Sequence, residues 1–417
     1  MTTIDFRTRP VTRAAPLELD EFIGRLIGDP LRFHGATAAL AAARLALTPL
    51  TIEVEGRTVT IEPADGRIDL QEGIGEGVVV QLDPASLGEL IEDAASAFGL
   101  QMTGRAKVAR GAVDSFVAWE PVLRTLFDGR PVYQPGTIRF RTVDGADLDP
   151  RTRFTLDDDH ATIGHFLAEA GFLHIEGVFT EAEMAAVSQE LDDAVVSAQR
   201  DDGASWWART KNGDWYPSRI LGFNQMSPSL RELLHCDRFA AIGRLTDDRF
   251  VQPDPDRGDS AEGLLKKVGV VEGISDVSWH KDCAMGGHSR HCCGLTVGIS
   301  VTGAQRENGE LGVVAGSHRA NVSPLGIEGL DLPRIPLPTR TGDITVHCSC
   351  TLHMSRPPVS DERRVVYTGF SLAPRPGDAA SEQSDAEIRR ERASLNDHTR
   401  RRQQEHSLGA ASTSFEL

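Results

Sequence analysis

The chain has 417 residues, enough for two or three domains that fold without disulfides. With 44 basic against 61 acidic residues its net charge is −17, which sets it against nucleic acid and anionic membrane surfaces. Hydrophobic residues at 40% and charged residues at 25% give an ordinary water-soluble balance, and no stretch is apolar enough for a transmembrane helix.

The first residues, Met1 to Arg7, lack the apolar run of a secretion signal. The cysteines, Cys236, Cys283, Cys292, Cys293, Cys348 and Cys350, all lie in the second half. That clustering is unlike a secreted disulfide framework and points to a cytoplasmic protein.

Residues 17–135 read as a small α+β region. An Ala-rich helix around Ala36–Leu50 precedes Thr51 to Ile61, which alternates about a Gly56-Arg57 turn as a hairpin does. Val78–Leu82 reads as a strand. Asp83-Pro84 then supplies an N-cap and a proline at the first helical position. Met102–Val108 reads as a further strand and Val113–Phe127 as a closing helix. The capped helix, the Thr103-Gly-Arg-Ala-Lys-Val108 strand and the closing helix together resemble the sterol-carrier-protein-2-like fold. That resemblance implies an accessory domain which either handles a lipid or acyl molecule or serves as a dimerisation module of a homo-oligomer. Gly73-x-Gly75-x-Gly77 precedes a strand and lacks dinucleotide-binding spacing.

Residues 150–375 hold the candidate chemistry, and the polar stretch 376–417 reads as a charged helix, Ala386–Arg402, with a disordered end. A helix ends at Gly171, a strand follows, and Thr180 with Glu183 forms a capping box. Trp206, Trp207, Trp215 and Tyr216 crowd what reads as a loop, as a pocket wall or as rim packing. In Trp279-His280-Lys281-Asp282, strand alternation turns His280 and Asp282 to one face and Lys281 away from it. An imidazole and a carboxylate so placed are two parts of a 2-His-1-carboxylate set, which binds Fe(II) on one side. Ile344–Met354 reads as one strand carrying both His347 and His353. Beyond it lie Arg363 and Arg364, either of which suits a carboxylate as a bidentate partner. Lys266 and Lys267, before the His-x-Asp, are further candidate cations.

A zinc site from His288, His291, Cys292, Cys293, His347, Cys348, Cys350 and His353 is the chemical rival, but these residues lack a Cys-x₂-Cys pair.

The order of motifs resembles the phytanoyl-CoA dioxygenase family of Fe(II)/2-oxoglutarate oxygenases. It comprises Ala170-Gly-Phe-Leu-His-Ile-Glu-Gly-Val-Phe179, the Trp-His-x-Asp, Glu307-Asn-Gly-Glu-Leu-Gly-Val-Val-Ala-Gly-Ser-His318, Thr341-Gly-Asp343, Leu352-His353 and the later arginine. The resemblance implies a double-stranded β-helix, a cupin-like jelly roll with flanking helices, preceded here by the small α+β domain. It implies iron on His280, Asp282 and His353, with 2-oxoglutarate and O2 as co-substrates. It places the 2-oxoglutarate anchor at Arg364, on spacing and strand parity; Lys267, read from its place on the strand before the His-x-Asp, is a further candidate contact. The implied activity is hydroxylation of an unactivated C–H bond in a small hydrophobic or acyl-type molecule. Desaturation or cyclisation by the same chemistry, or a lipid carrier without turnover, are the alternatives. Asp282 argues against halogenation, for which relatives replace the carboxylate.

Overall fold

The computed structural model describes residues 14–200, 202–245, 250–273, 275, 277–285, 294–324, 327 and 329–372. The stretch 376–417, and with it the Ala386–Arg402 helix, lies outside the described residues, as do His288, His291, Cys292 and Cys293. Among the described residues no helix is long and apolar enough to cross a membrane.

Residues 17–135 form a five-stranded sheet with helices. The helices are α1 (Leu19–Ile27), α2 (Gly35–Arg44), α3 (Pro84–Ile91), α4 (Ala97–Met102) and α5 (Val113–Asp128). The strands are β1 (Leu50–Val54), β2 (Arg57–Ala64), β3 (Arg67–Glu72), β4 (Val78–Leu82) and β5 (Ala106–Arg110), in the order β3-β2-β1-β4-β5. The expected hairpin is β1–β2, closed where Val54 pairs with Arg57. Asp83 caps α3, its carboxylate accepting the Ser86 N–H at 2.6 Å. The strand expected over Met102–Val108 begins later. Ser96 instead caps the short α4 through the Gly99 N–H, so Met102 ends a helix. Alternating Leu50, Ile52 and Val54 of β1 pack with Phe116, Trp119 and Leu123 of α5, each of which contributes roughly 1.5–3 kcal/mol on burial.

The remaining strands build two facing sheets. An eight-stranded sheet has the order β10-β7-β8-β9-β17-β12-β15-β6. Its members are β6 (Phe172–Ile175), β7 (Ser205–Thr210), β8 (Trp215–Ile220), β9 (Glu262–Lys266), β10 (Val270–Glu272), β12 (Gly294–Ser300), β15 (Ile344–Cys348) and β17 (Arg363–Ser371). A four-stranded sheet, ordered β11-β16-β13-β14, contains β11 (Val277–His280), β13 (Leu311–Val314), β14 (Arg334–Leu337) and β16 (His353–Ser355). This is the jelly roll. Helices α6 (His160–Ala170), α7 (Glu181–Ser197), α8 (Phe223–Met226), α9 (Pro228–His235) and α10 (Asp237–Gly243) flank it. The outer face of the large sheet, Leu295, Val297, Ile299, Val346, Val366 and Phe370, shares one core with Phe166, Val187, Leu191 and Leu230 of the helices.

Two expectations differ in detail. The tryptophans sit in the β7–β8 hairpin rather than a loop, with Arg200 3.9 Å from the Trp215 ring centre and Arg219 4.6 Å from that of Trp206. Ile344–Met354 is not one strand. The chain leaves the large sheet after Cys348 and enters the small sheet at His353.

Gly171 helps make that transfer possible. It ends α6 at φ +82, and its carbonyl accepts the Cys348 N–H at 3.0 Å and the Thr351 hydroxyl at 2.7 Å. A Cβ here would lie 2.2 Å from His318 Nδ1 and 2.7 Å from Thr351 Oγ1, so only glycine fits the crossing. Ser317 Oγ accepts the Leu352 N–H at 2.8 Å and fixes the residue before His353.

Candidate metal centre

His280 and His353 are cross-strand partners of β11 and β16, so their imidazoles start side by side. The strand ends at His280, and Asp282 opens a 3₁₀ turn, Asp282–Met285, which returns its carboxylate toward both rings. Asp282 Oδ1 lies 3.4 Å from His280 Nε2 and 3.3 Å from His353 Nε2. Ligand atoms of the three residues lie within 4.8 Å of one another, the one such group of histidine, cysteine and carboxylate side chains among the described residues. His280 and His353 are buried, and Asp282 keeps 28% exposure of its side chain.

The tautomers are set by the backbone. His280 Nδ1 donates to the Ser278 carbonyl at 2.7 Å, and His353 Nδ1 donates to the Thr351 carbonyl at 2.9 Å. A carbonyl only accepts, so each Nδ1 carries the proton and each Nε2 presents a bare lone pair. Two lone pairs and one carboxylate oxygen meeting in a buried space are a divalent-metal donor set, and the residues fit iron. Burial works to raise the Asp282 carboxyl, but the surrounding imidazoles, His353 first and then His280 and His347, outweigh it and hold it well below the ordinary 3.8. Burial and repulsion from His353 lower His280, which keeps its lone pair available.

His347 does not join that set. It sits on β15 and reaches Asp282 from the opposite sheet, Nε2 to Oδ2 at 3.3 Å.

Lys281 was expected to face outward, yet it is only 3% exposed. Its Nζ donates to the Val322 carbonyl at 3.4 Å, and the side chain lies near Glu120, Arg130, Cys283 and Cys350. It turns from the site, as alternation requires, but into a junction with residues 17–135. There α4 packs on the Asp282–Met285 turn, and Asn321 Nδ2 donates to the carbonyls of Pro121 at 2.9 Å and Arg130 at 3.1 Å. Sequence reasoning missed this contact because nothing local marks an interface between distant segments.

Arg364, the expected anchor, is on the wrong face. β17 pairs with β12 so that Val366 and Phe370 face the helices, and Arg364 shares their side. It donates to Ser188 Oγ on α7 at 2.9 Å and pairs with Asp192 at 2.9 Å and Glu362 at 2.9 Å. Arg363 faces between the sheets, 4% exposed, bonded to the Gly309 carbonyl and, at 3.3 Å, to Ser355 Oγ. Its partner on β9 is Lys266, whose Nζ donates to the same Ser355 Oγ at 2.5 Å. Lys267, the other expected contact, instead lies 4.9 Å from the centre of the Tyr216 ring.

Asp343 of the Thr-Gly-Asp motif is structural. Its carboxylate accepts the N–H groups of Gly177 at 2.9 Å and Arg340 at 2.8 Å, and so ties the segment after β6 to the start of β15.

Residues 167–366 match the family model described as Phytanoyl-CoA dioxygenase (PhyH). The protein carries a phytanoyl-CoA dioxygenase family domain. The match supports a 2-oxoglutarate oxygenase, and the group of His280, Asp282 and His353 is consistent with iron binding. Among solved structures, AviO1 from Streptomyces viridochromogenes Tue57 is 20% identical over 52% of this chain and 97% of that chain, with a TM-score of 0.41. The epimerase SnoN from nogalamycin biosynthesis, in complex with Fe3+, alpha ketoglutarate and nogalamycin RO, is 19% identical over 52% of this chain and 89% of that chain, TM-score 0.40. EctD from S. alaskensis, in its apoform, is 16% identical over 60% and 90%, TM-score 0.42. No curated protein matches the chain.

Proposed function

We propose that this protein is a non-haem Fe(II)- and 2-oxoglutarate-dependent dioxygenase that hydroxylates an unactivated C–H bond of a small hydrophobic or acyl-type molecule. The observation that carries the reading is the pair of histidines whose Nδ1 protons are spent on backbone carbonyls, leaving two Nε2 lone pairs beside one Asp282 oxygen. His280, Asp282 and His353 hold the metal. Iron bound there would supply the oxygen-activating chemistry, with 2-oxoglutarate as the co-substrate oxidised to succinate and CO2.

The chain's own part is positioning. Arg363, with Lys266, takes the anchoring role first assigned to Arg364 and Lys267. Both cations meet at Ser355, two residues along β16 from His353, or about 7 Å at the rise of an extended strand. Buried Trp279, Leu352 and Met354, next in sequence to the two histidines, pack in a cluster on the other face of the small sheet and back the strands that carry the ligands.

In the same reading the chain divides into an accessory unit, 17–135, with the sterol-carrier likeness, and an oxygenase domain, 150–375, followed by the tail 376–417, in a cytoplasmic protein. Support for a shared role is the packing of α4 and Lys281 at the metal arm.

Anaerobic titration of the full chain with Fe(II) and 2-oxoglutarate tests the proposal. A weak visible charge-transfer band is expected, together with loss of metal affinity by at least about 100-fold in His280→Ala and His353→Ala. Metal binding unchanged in both variants would refute it.

A further inference from the structure

We propose that His347 and Thr296 are positioning residues that hold one oxygen of Asp282 away from the metal, so that the carboxylate offers only the other. The inference rests on the reading of His280, Asp282 and His353 as the iron ligands. Two cross-strand pairs face each other across the jelly roll. His280 and His353 pair on the small sheet, and Thr296 and His347 pair on β12 and β15 of the large sheet. Asp282 lies between them and divides its oxygens. Oδ1 faces the first pair, at 3.4 Å and 3.3 Å. Oδ2 accepts the Thr296 hydroxyl at 2.7 Å and lies 3.3 Å from His347 Nε2.

The protons separate His347 from the ligands. An ionised carboxylate only accepts, so the His347 nitrogen facing it must carry a hydrogen. His280 and His353 differ from it in that their Nδ1 hydrogens go to backbone carbonyls, which leaves each Nε2 as the nitrogen a metal would take. His347 is 1% exposed, and its Nδ1 has no hydrogen-bond partner among the described residues. Its ring centre is only 4.1 Å from that of His353, yet it turns an N–H, not a lone pair, toward the carboxylate. A buried imidazole with a single polar contact, aimed at a ligand's free oxygen, orients that ligand. Without the two donors the carboxylate is free to turn and present both oxygens, which would use a position the co-substrate and oxygen need.

The test uses Mn(II) titration calorimetry and the visible spectrum of the Co(II)-loaded full chain. His347→Leu and Thr296→Val should each weaken Mn(II) binding about 10- to 100-fold, the usual range for a group that hydrogen-bonds a metal ligand. Both should alter the Co(II) spectrum. His347→Gln, whose amide N–H reaches the place of Nε2, should restore affinity to within about threefold and restore the spectrum. A core-filling role would lower the melting temperature of the metal-free protein without this pattern of rescue. Wild-type affinity and spectrum in His347→Leu would overturn the proposal, as would His347→Gln behaving like His347→Leu. Complete loss of binding in His347→Leu with retention in His353→Leu would make His347 a ligand and also overturn it. If His347→Leu fails to fold, Thr296→Val decides. A wild-type protein that binds no metal, or a His280→Ala variant that binds like wild type, would instead sink the iron-site reading itself.

Discussion

Each half of the molecule buries a charged cluster, and the two are finished differently. In residues 17–135, Arg124 is 1% exposed and both ends of its guanidinium find acceptors. It bonds the carbonyls of Ile91 at 3.1 Å and of Leu90, and it lies 3.3 Å from Asp128 and 3.8 Å from Asp93. In the jelly roll, Asp282 is surrounded by three imidazoles, two of which point bare lone pairs into the same space. The first network pairs a buried cation with carbonyls and carboxylates of the protein itself and ties the end of α3 to α5. In the proposed reading, a metal cation completes the second. Burial of charge does not distinguish structure from function; whether the partners finish one another does.

Removing the cation of the first network should have the largest effect on folding. Arg124→Met leaves Asp93 and Asp128 without their cation and should cost about 3–5 kcal/mol in urea unfolding. His280→Ala, which opens a network already incomplete, should cost the metal-free protein much less. Equal losses would erase the contrast.

A second test uses pH. Burial, then the Asp93 charge, pushes the Glu120 carboxyl up from 4.5 to about 7, against the Ala97 N–H that it accepts at 2.6 Å. Between those values the folded protein holds a proton that the unfolded chain has released. Stability therefore falls as pH rises from about 4.5 to 7, by an amount on the order of 3 kcal/mol, and is flat above. Glu120→Gln keeps an acceptor for Ala97 and should remove that slope, making the variant the more stable form at pH 8. Melting curves across this range check the sign; an unchanged slope places the titration elsewhere.

The third test sharpens the contrast within β17. Arg363→Leu should raise the KM for 2-oxoglutarate roughly a hundredfold, since a buried charge partner is lost. Arg364→Leu should leave that KM near wild type and cost about 1 kcal/mol of stability, as its ion pairs reach a partly exposed helix surface. The reverse result would return the anchor to Arg364.

Much of the site was legible in the sequence because its decisive signals are local. Trp-His-x-Asp places two donors two residues apart, and Thr180 with Glu183 or Asp83 with Pro84 fixes helix starts within one turn. The facing of Arg363 and Arg364 was not legible. No continuous strand links His353 to Arg363, so spacing carries no parity across the intervening loop. Only the pairing of Gly298 with Tyr367, and with it the register of β17 on β12, decides which arginine turns inward.

By itself, then, the sequence determined the donor types, their order and the helix boundaries, since capping and alternation act over a few residues. Tertiary structure alone decided that His347 meets Asp282 from the other sheet, that Lys281 buries against residues from the first half, and that Arg363 rather than Arg364 faces between the sheets. Each depends on strands brought together from distant parts of the chain. A one-residue change of register reverses every side chain on a strand, and nothing in the neighbouring residues announces it.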